Sequence, residues 1–149
     1  MSDTARRIVL EPSNVEVAFA WFQRLMALLC LFFGALYWVR LIGIYPGTLW
    51  RFDLMPVHWQ VATATLAVFF PFAAAGLWML ASWGPVIWFI CAATETVMYC
   101  GFPRLFGERP LVVAAHALTA LVYVGFRVVL ELRKRRQRND HARPSLEGR

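Results

Sequence analysis

The feature that most constrains this chain is a long run without charge. Residues 54–94, forty-one positions in a chain of 149, contain no Asp, Glu, Lys or Arg. A soluble domain cannot omit charge for so long, because about a quarter of its residues are charged. One membrane crossing needs about 20 apolar residues, so the run is long enough for two. The chain is therefore predicted to be an integral membrane protein.

Composition and length agree with this prediction. Hydrophobic residues make up 60% of the chain and charged residues 16%. Nearly all of the chain is needed for membrane crossings, which leaves no stretch for a separate soluble core. We expect an N-terminal segment at 1–12, one transmembrane domain at 13–132, and a basic tail at 133–149 that is disordered.

The apolar runs predict an all-α, polytopic fold, a bundle of four transmembrane helices. Ser13 and Glu16 have the spacing of a capping box at the start of the first helix. Asp53 is the expected N-cap of the second helix. Gly84 suits a left-handed helix stop, and Pro85 suits the start of the third helix. The helices are expected at about 14–42, 54–81, 85–102 and 110–130.

The distribution of basic residues predicts the orientation. With four crossings, both termini and the second turn lie on one side, and that side carries eleven of the fifteen Lys and Arg residues. The positive-inside rule therefore places both termini in the cytoplasm. A basic cluster at the end of the last apolar run is expected to set this topology and to contact anionic lipid headgroups. It consists of Arg133, Lys134, Arg135, Arg136 and Arg138.

One carboxylate, Glu95, ends the charge-free run and has apolar residues on both sides. The third and fourth helices are joined by a short loop, so residues equidistant from that loop should lie at one depth. Glu95 and His116 satisfy this condition, and we expect them to form an intramembrane polar pair. Gln60 and Thr63 of the second helix are expected at a similar depth, as supporting polar groups.

The fourth helix carries a polar stripe, since its polar residues follow one another at spacings of three and four. Two interpretations of the stripe and the Glu95 pair stay open. In the first, the polar groups fix helix register or bind a partner protein. In the second, the Glu95–His116 pair relays a proton and couples a solute to proton flow. The stripe consists of His116, Thr119, Tyr123 and Arg127.

The residues predict no cofactor, no metal site and no catalytic residues. His58 and His116 fall at different depths, which disfavours a haem with two histidine ligands. Ser-His-Asp sets, zinc spacings and phosphate-binding glycine loops do not occur in the sequence. The basic cluster adjoins a membrane crossing and lacks interleaved aromatic residues, so nucleic acid is not an expected partner. The loop from Arg104 to Arg109 is a candidate for headgroup recognition or a solvated turn.

Five segments of the chain are characteristic when taken together: residues 40–43, 50–60 and 83–88, with Thr94-Glu95 and Phe106-Gly107. They resemble a family of small four-helix bacterial inner-membrane proteins of unknown function. The resemblance implies a bacterial inner membrane with the outer loops in the periplasm, and it implies no activity. A looser similarity to DoxX-like proteins rests on architecture alone.

From these observations we expect an accessory or scaffold protein that associates through helix faces, in an envelope complex or as a homo-oligomer. Glu95 and His116 would be its specificity contact. The alternatives are a small proton-coupled transporter that uses the same pair, and a protein that binds or modifies lipid.

Overall fold

The computed structural model of the protein describes residues 13–142, with side chains through Asn139. The predicted N-terminal segment at 1–12 and the end of the predicted tail lie outside the described residues. Between these limits, all regular secondary structure is helical. The elements are α1 (Asn14–Ile42), a 3-10 turn (Phe52–Leu54), α2 (Val57–Trp78), α3 (Trp83–Thr96), a π turn (Val97–Gly101), α4 (Pro103–Phe106) and α5 (Pro110–Ala142).

Three of the described helices are long and apolar enough to cross a membrane. They are α1, α2 and the part of α5 at Pro110–Asn139, with mean hydropathies of 2.1, 1.7 and 1.8. The third predicted crossing has a different form, because α3 ends at Thr96 after 14 residues and the chain continues as the π turn. The amide of Phe102 then donates to the carbonyl of Val97, five residues back.

The start and end of α1 follow local chemistry. Ser13 Oγ accepts a hydrogen bond from the amide of Glu16, and the Glu16 carboxylate accepts one from the amide of Ser13. The helix ends at Gly43, whose φ of 75° is in the left-handed region that glycine adopts without a steric penalty. The capping box is thus present where the sequence predicted it.

The start of α2 differs from the prediction. The helix begins at Val57, with Pro56 in the N-cap position, rather than after Asp53. A residue before proline is forced away from helical geometry, and Met55 is extended with a ψ of 143°. Asp53 pairs with Arg51 at 2.8 Å instead of capping the helix.

The turn between α2 and α3 also corrects the prediction. Its left-handed residue is Leu80, with a φ of 56°, while Gly84 lies inside the first turn of α3. Gly84 is needed for another reason, because a Cβ atom there would lie 2.4 Å from the carbonyl carbon of Gly76. The two helix backbones cross in contact at this pair.

The predicted disordered tail is wrong for the described residues beyond 132, because α5 continues through Ala142. This part of the chain is rich in Arg, Lys, Glu and Gln, which are good helix formers. Glu131 and Arg135, one turn apart, form an ion pair at 3.4 Å.

The core lies between α1, α2 and α3, and α5 is peripheral. α2 supplies the most deeply buried side chains, among them Leu66, Phe70 and Leu77. By contrast, the apolar stretch of α5 within Pro110–Asn139 contains no buried residue. α5 contacts α1 through Phe19 and Tyr123, whose ring centroids are 5.6 Å apart. This loose contact leaves space between α1, α3 and α5.

Candidate functional site

The side chain of Glu95 joins three helices. It is 5% exposed and projects from α3. Its Oε1 accepts a hydrogen bond from the Tyr37 hydroxyl of α1 at 2.6 Å, and its Oε2 lies 2.6 Å from His116 Nε2 of α5. Both carboxylate oxygens therefore have partners within the chain.

The structure brings Glu95 and His116 together, as the loop geometry predicted, and adds a partner that the sequence reasoning missed. Tyr37 is one turn before Arg40 on a helix that is otherwise apolar there. An isolated hydroxyl at membrane depth needs a hydrogen-bond partner. This requirement was the signal in the sequence that could have identified Tyr37. The function of the pair stays a prediction.

The proposed supporting groups bond elsewhere. Gln60 Nε2 donates to the carbonyl of Phe52 at 2.9 Å, and Thr63 Oγ1 donates to the sulfur of Met55 at 3.8 Å. Both bonds hold the 43–56 loop against the start of α2. The expectation that Gln60 and Thr63 support the Glu95 pair is therefore wrong, because both side chains bond to the loop instead.

The residues of the α5 polar stripe that follow His116 do not contact Glu95. Thr119 donates to the carbonyls of Ala115 and His116 in its own helix. The ring of Tyr123 packs against aromatic residues of α1 and α3, and its hydroxyl makes no hydrogen bond within residues 13–139. Arg127 is exposed. Of the stripe, His116 alone contacts Glu95.

The basic cluster lies on the final turns of α5, far along that helix from His116. All of its members are exposed, and Arg135 pairs with Glu131. Its proposed roles in topology and lipid contact stay predictions. The members are Arg133, Lys134, Arg135, Arg136 and Arg138.

An apolar cavity of about 230 Å³ adjoins the Glu95–His116 pair. It is bounded by α1, α3 and α5, with Phe70 of α2 at its back. Glu95 and His116 form one polar wall, and His116 Nδ1 has no hydrogen-bond partner among the side chains that the structure describes. The remaining wall is formed by Met26, Leu29, Cys30, Phe33, Phe70, Trp88, Leu111, Val112 and Ala115.

A second, smaller cavity of about 80 Å³ lies toward the 43–56 and 102–109 loops. It shares Phe33, Glu95 and Val112 with the larger cavity, so the two meet at the carboxylate. Two arginines, Arg40 and Arg109, line it together with Tyr37, Tyr99 and Leu36.

Metal binding has no geometric support in the described part of the chain. No group of three or more His, Cys, Asp or Glu side chains there is arranged to hold an ion. His58 Nε2 lies 3.1 Å from the carbonyl of Leu105, and its ring packs against Phe106. This histidine fastens α4 to α2.

With this geometry established, comparison with known proteins places the chain in a family. The model of a family of unknown function, DUF6163, matches residues 17–134. The chain belongs to the DUF6163 family. The match covers every residue of both cavities. Comparisons with curated proteins and with solved structures found no match. The Glu95 site is therefore the feature of this DUF6163 protein that bears most directly on its function.

Proposed function

We propose that this DUF6163 protein binds an amphiphilic lipid-like molecule between α1, α3 and α5, with its polar end at Glu95 and His116. The observation that carries the proposal is the apolar cavity of about 230 Å³ with this polar pair in its wall. An apolar cavity of about 150 Å³ can hold a benzene ring, so this one has room for a ring or part of an acyl chain.

The proposal includes four crossings in a bacterial inner membrane, with both termini cytoplasmic. In this proposal α3 and the π turn together supply the third crossing, between α2 and α5. Support comes from the hydrogen bond between His58 and the Leu105 carbonyl and from the contact of Trp59 with Phe106. These contacts join the start of α2 to α4. If α2 crosses the membrane, α3 has to cross back for the chain to reach α4 on the side where α2 begins.

The cavity favours ligand binding over proton-coupled transport. Beyond Glu95, toward the Trp88 end of the site, the walls are apolar. A proton or a polar solute would need a continuous series of polar groups across the membrane. An apolar chain needs only space there, and its polar end would reach the carboxylate.

A second candidate, the accessory or scaffold role, is favoured by α5. The apolar stretch of this helix within Pro110–Asn139 has no buried residue, so its surface is available to a partner helix or a second copy. Glu95 is less suited to be the specificity contact, because its two oxygens already bond Tyr37 and His116.

A cavity-filling substitution tests lipid binding. Ala115 lines the cavity from α5, and Ala115→Trp would fill it without altering Glu95 or His116. We expect at least a tenfold loss of lipid retained by the protein after release from nanodiscs, measured by native mass spectrometry. Ala114→Trp is the matched control, because Ala114 is exposed and lies outside both cavities. Equal retention by both variants would disprove the proposal.

A further inference from the structure

Two arginines line the smaller cavity, Arg40 of α1 and Arg109 of the loop before α5, and neither has an anionic partner within residues 13–139. The ion pairs within residues 13–139 do not include Arg40 or Arg109. Arg40 Nε is buried and has no hydrogen-bond partner in that part of the chain. A buried donor without an acceptor carries a desolvation penalty, and Arg40 is one of the residues that line this cavity.

Arg40 is held in place by aromatic rings. An arginine near the end of a crossing ordinarily extends along its aliphatic stem to the headgroup layer. The Arg40 guanidinium carbon instead lies 5.4, 5.0 and 5.6 Å from the ring centroids of Tyr37, Trp50 and Trp59. Its position beside the cavity is therefore preorganised.

Arg109 lines the cavity from the loop before α5. Its guanidinium carbon lies 5.7 Å from the ring centroid of Tyr99, which is buried on the π turn. Arg109 also directly precedes Pro110, the first residue of α5, where the helix dipole places partial positive charge. Val112, in the first turn of α5, lines the same cavity.

The charges around the smaller cavity do not cancel. The lining of this cavity contains two arginines, Arg40 and Arg109, and one carboxylate, that of Glu95. Positive charge is therefore in excess there even when Glu95 is ionised. Guanidinium groups match carboxylate and phosphate oxygens in geometry as well as in charge.

The sizes of the two cavities suit the two parts of an amphiphile. The smaller, at about 80 Å³, has the volume of two to three waters at about 30 Å³ each, enough for one anionic group. The larger is apolar, and the two meet at Glu95. A molecule with its anionic group between the arginines would extend its apolar chain past Glu95.

We infer that the two cavities form one site for an anionic amphiphile, whose carboxylate or phosphate group is bound by Arg40 and Arg109. This inference rests on the proposed function and adds the chemical class of the ligand. An acyl chain is surrounded by hydrocarbon whether it is bound or free, so the anionic group must supply the selectivity.

Lipid competition tests the inference. The wild-type chain, Arg40→Gln and Arg109→Gln are placed in nanodiscs of phosphatidylcholine with a minor fraction of phosphatidylglycerol. Native mass spectrometry then gives the ratio of the two lipids retained. We expect each substitution to lower the ratio of phosphatidylglycerol to phosphatidylcholine about tenfold, as for the loss of one charged hydrogen bond. Arg104→Gln, on exposed α4 outside both cavities, should leave the ratio within about twofold.

The outcomes separate the inference from the proposed function. Unchanged ratios in both arginine variants, with lipid still retained, would overturn the inference and leave lipid binding standing. A wild-type chain that retains neither lipid would overturn lipid binding itself. Arg109 is exposed, so Arg109→Gln should fold even where Arg40→Gln does not.

Two further probes identify the source of the anion. Inorganic phosphate and oleate are each added alone to the lipid-free protein in neutral detergent. Binding of phosphate that requires Arg109 would assign a free anion, and binding of oleate that requires it would assign a fatty acid. Selective retention of phosphatidylglycerol, with no binding of either probe, would assign a phospholipid.

Discussion

Glu95 is stable at its buried position because both of its carboxylate oxygens have hydrogen-bond partners within the chain. An ionisable group at membrane depth is costly unless it is paired. Tyr37 and His116 supply two contacts of 2.6 Å from two other helices. Hydrogen bonds between membrane helices contribute about 0.6 kcal/mol on average and up to about 1.7 kcal/mol. Glu95 therefore both holds α1 and α5 against α3 and presents a polar surface to the cavities.

The Tyr37 bond gives a prediction at the scale of one atom. Tyr37→Phe removes the hydroxyl and leaves Glu95 Oε1 without its donor. We expect the free energy of unfolding to fall by about 1 kcal/mol, because a buried acceptor loses its partner. Unfolding in mixed micelles with increasing SDS, followed by tryptophan fluorescence, measures the change.

Tyr123→Phe is the control for this prediction. Its hydroxyl makes no hydrogen bond within the described side chains, although its ring, like that of Tyr37, contacts other aromatic rings. The same deletion should therefore cost less than about half as much. Equal losses in the two variants would mean that the Tyr37–Glu95 bond contributes nothing specific.

At the scale of elements, the contact between α2 and α3 depends on two glycines. A Cβ atom at Gly76 would lie 2.5 Å from the Cα of Gly84 and 2.5 Å from Trp83 Cζ3. Small residues at a helix crossing allow backbones to approach closely, which is how membrane helices gain packing energy. The orientation of α3, and so the position of Glu95, follows from this crossing.

Gly76→Ala tests the crossing. The added methyl group would force the two helices apart, and overpacking of this kind costs about 1–3 kcal/mol. The SDS unfolding midpoint should fall accordingly. Gly125→Ala on α5 is the control, because a methyl group there meets no described atom within 4 Å. Relief of the glycine penalty should stabilise that variant by about 0.5–1 kcal/mol. A Gly76→Ala protein as stable as the wild type would show that the crossing can relax.

The break after α3, in the segment predicted to be the third crossing, is the element that local reasoning could not predict. Residues 97–101 have no proline and one glycine, at the end, and their apolar pattern continues that of α3. The π turn keeps both Met98 and Tyr99 buried while α4 bonds to α2 through His58. Such turns occur often at functional sites, and this one begins two residues after Glu95. Tertiary contacts, rather than local propensity, decide its position.

At the scale of the molecule, the contacts of His58 and Trp59 with α4 predict that the 43–56 and 102–109 loops share one side of the membrane. Cysteines at Thr48 and Glu108, in a chain with Cys100→Ala, should react with a membrane-impermeant maleimide from the same side. A cysteine at Arg136 should react from the other side. Cys30 and Cys91 are buried and should stay unlabelled. Labelling of positions 48 and 108 from opposite sides would leave three crossings.

The sequence by itself determined that the chain is helical, largely apolar and suited to a membrane, since hydrophobicity and capping chemistry act locally. It also determined that Glu95 and His116 can lie at one depth, because helix rise and a short loop set depth. Only the tertiary structure decided which faces meet. Helix rotation depends on close packing, such as that of Gly76 with Gly84. Through that packing Tyr37 reached Glu95, Gln60 and Thr63 turned to the nearby loop, and two arginines came to line one cavity.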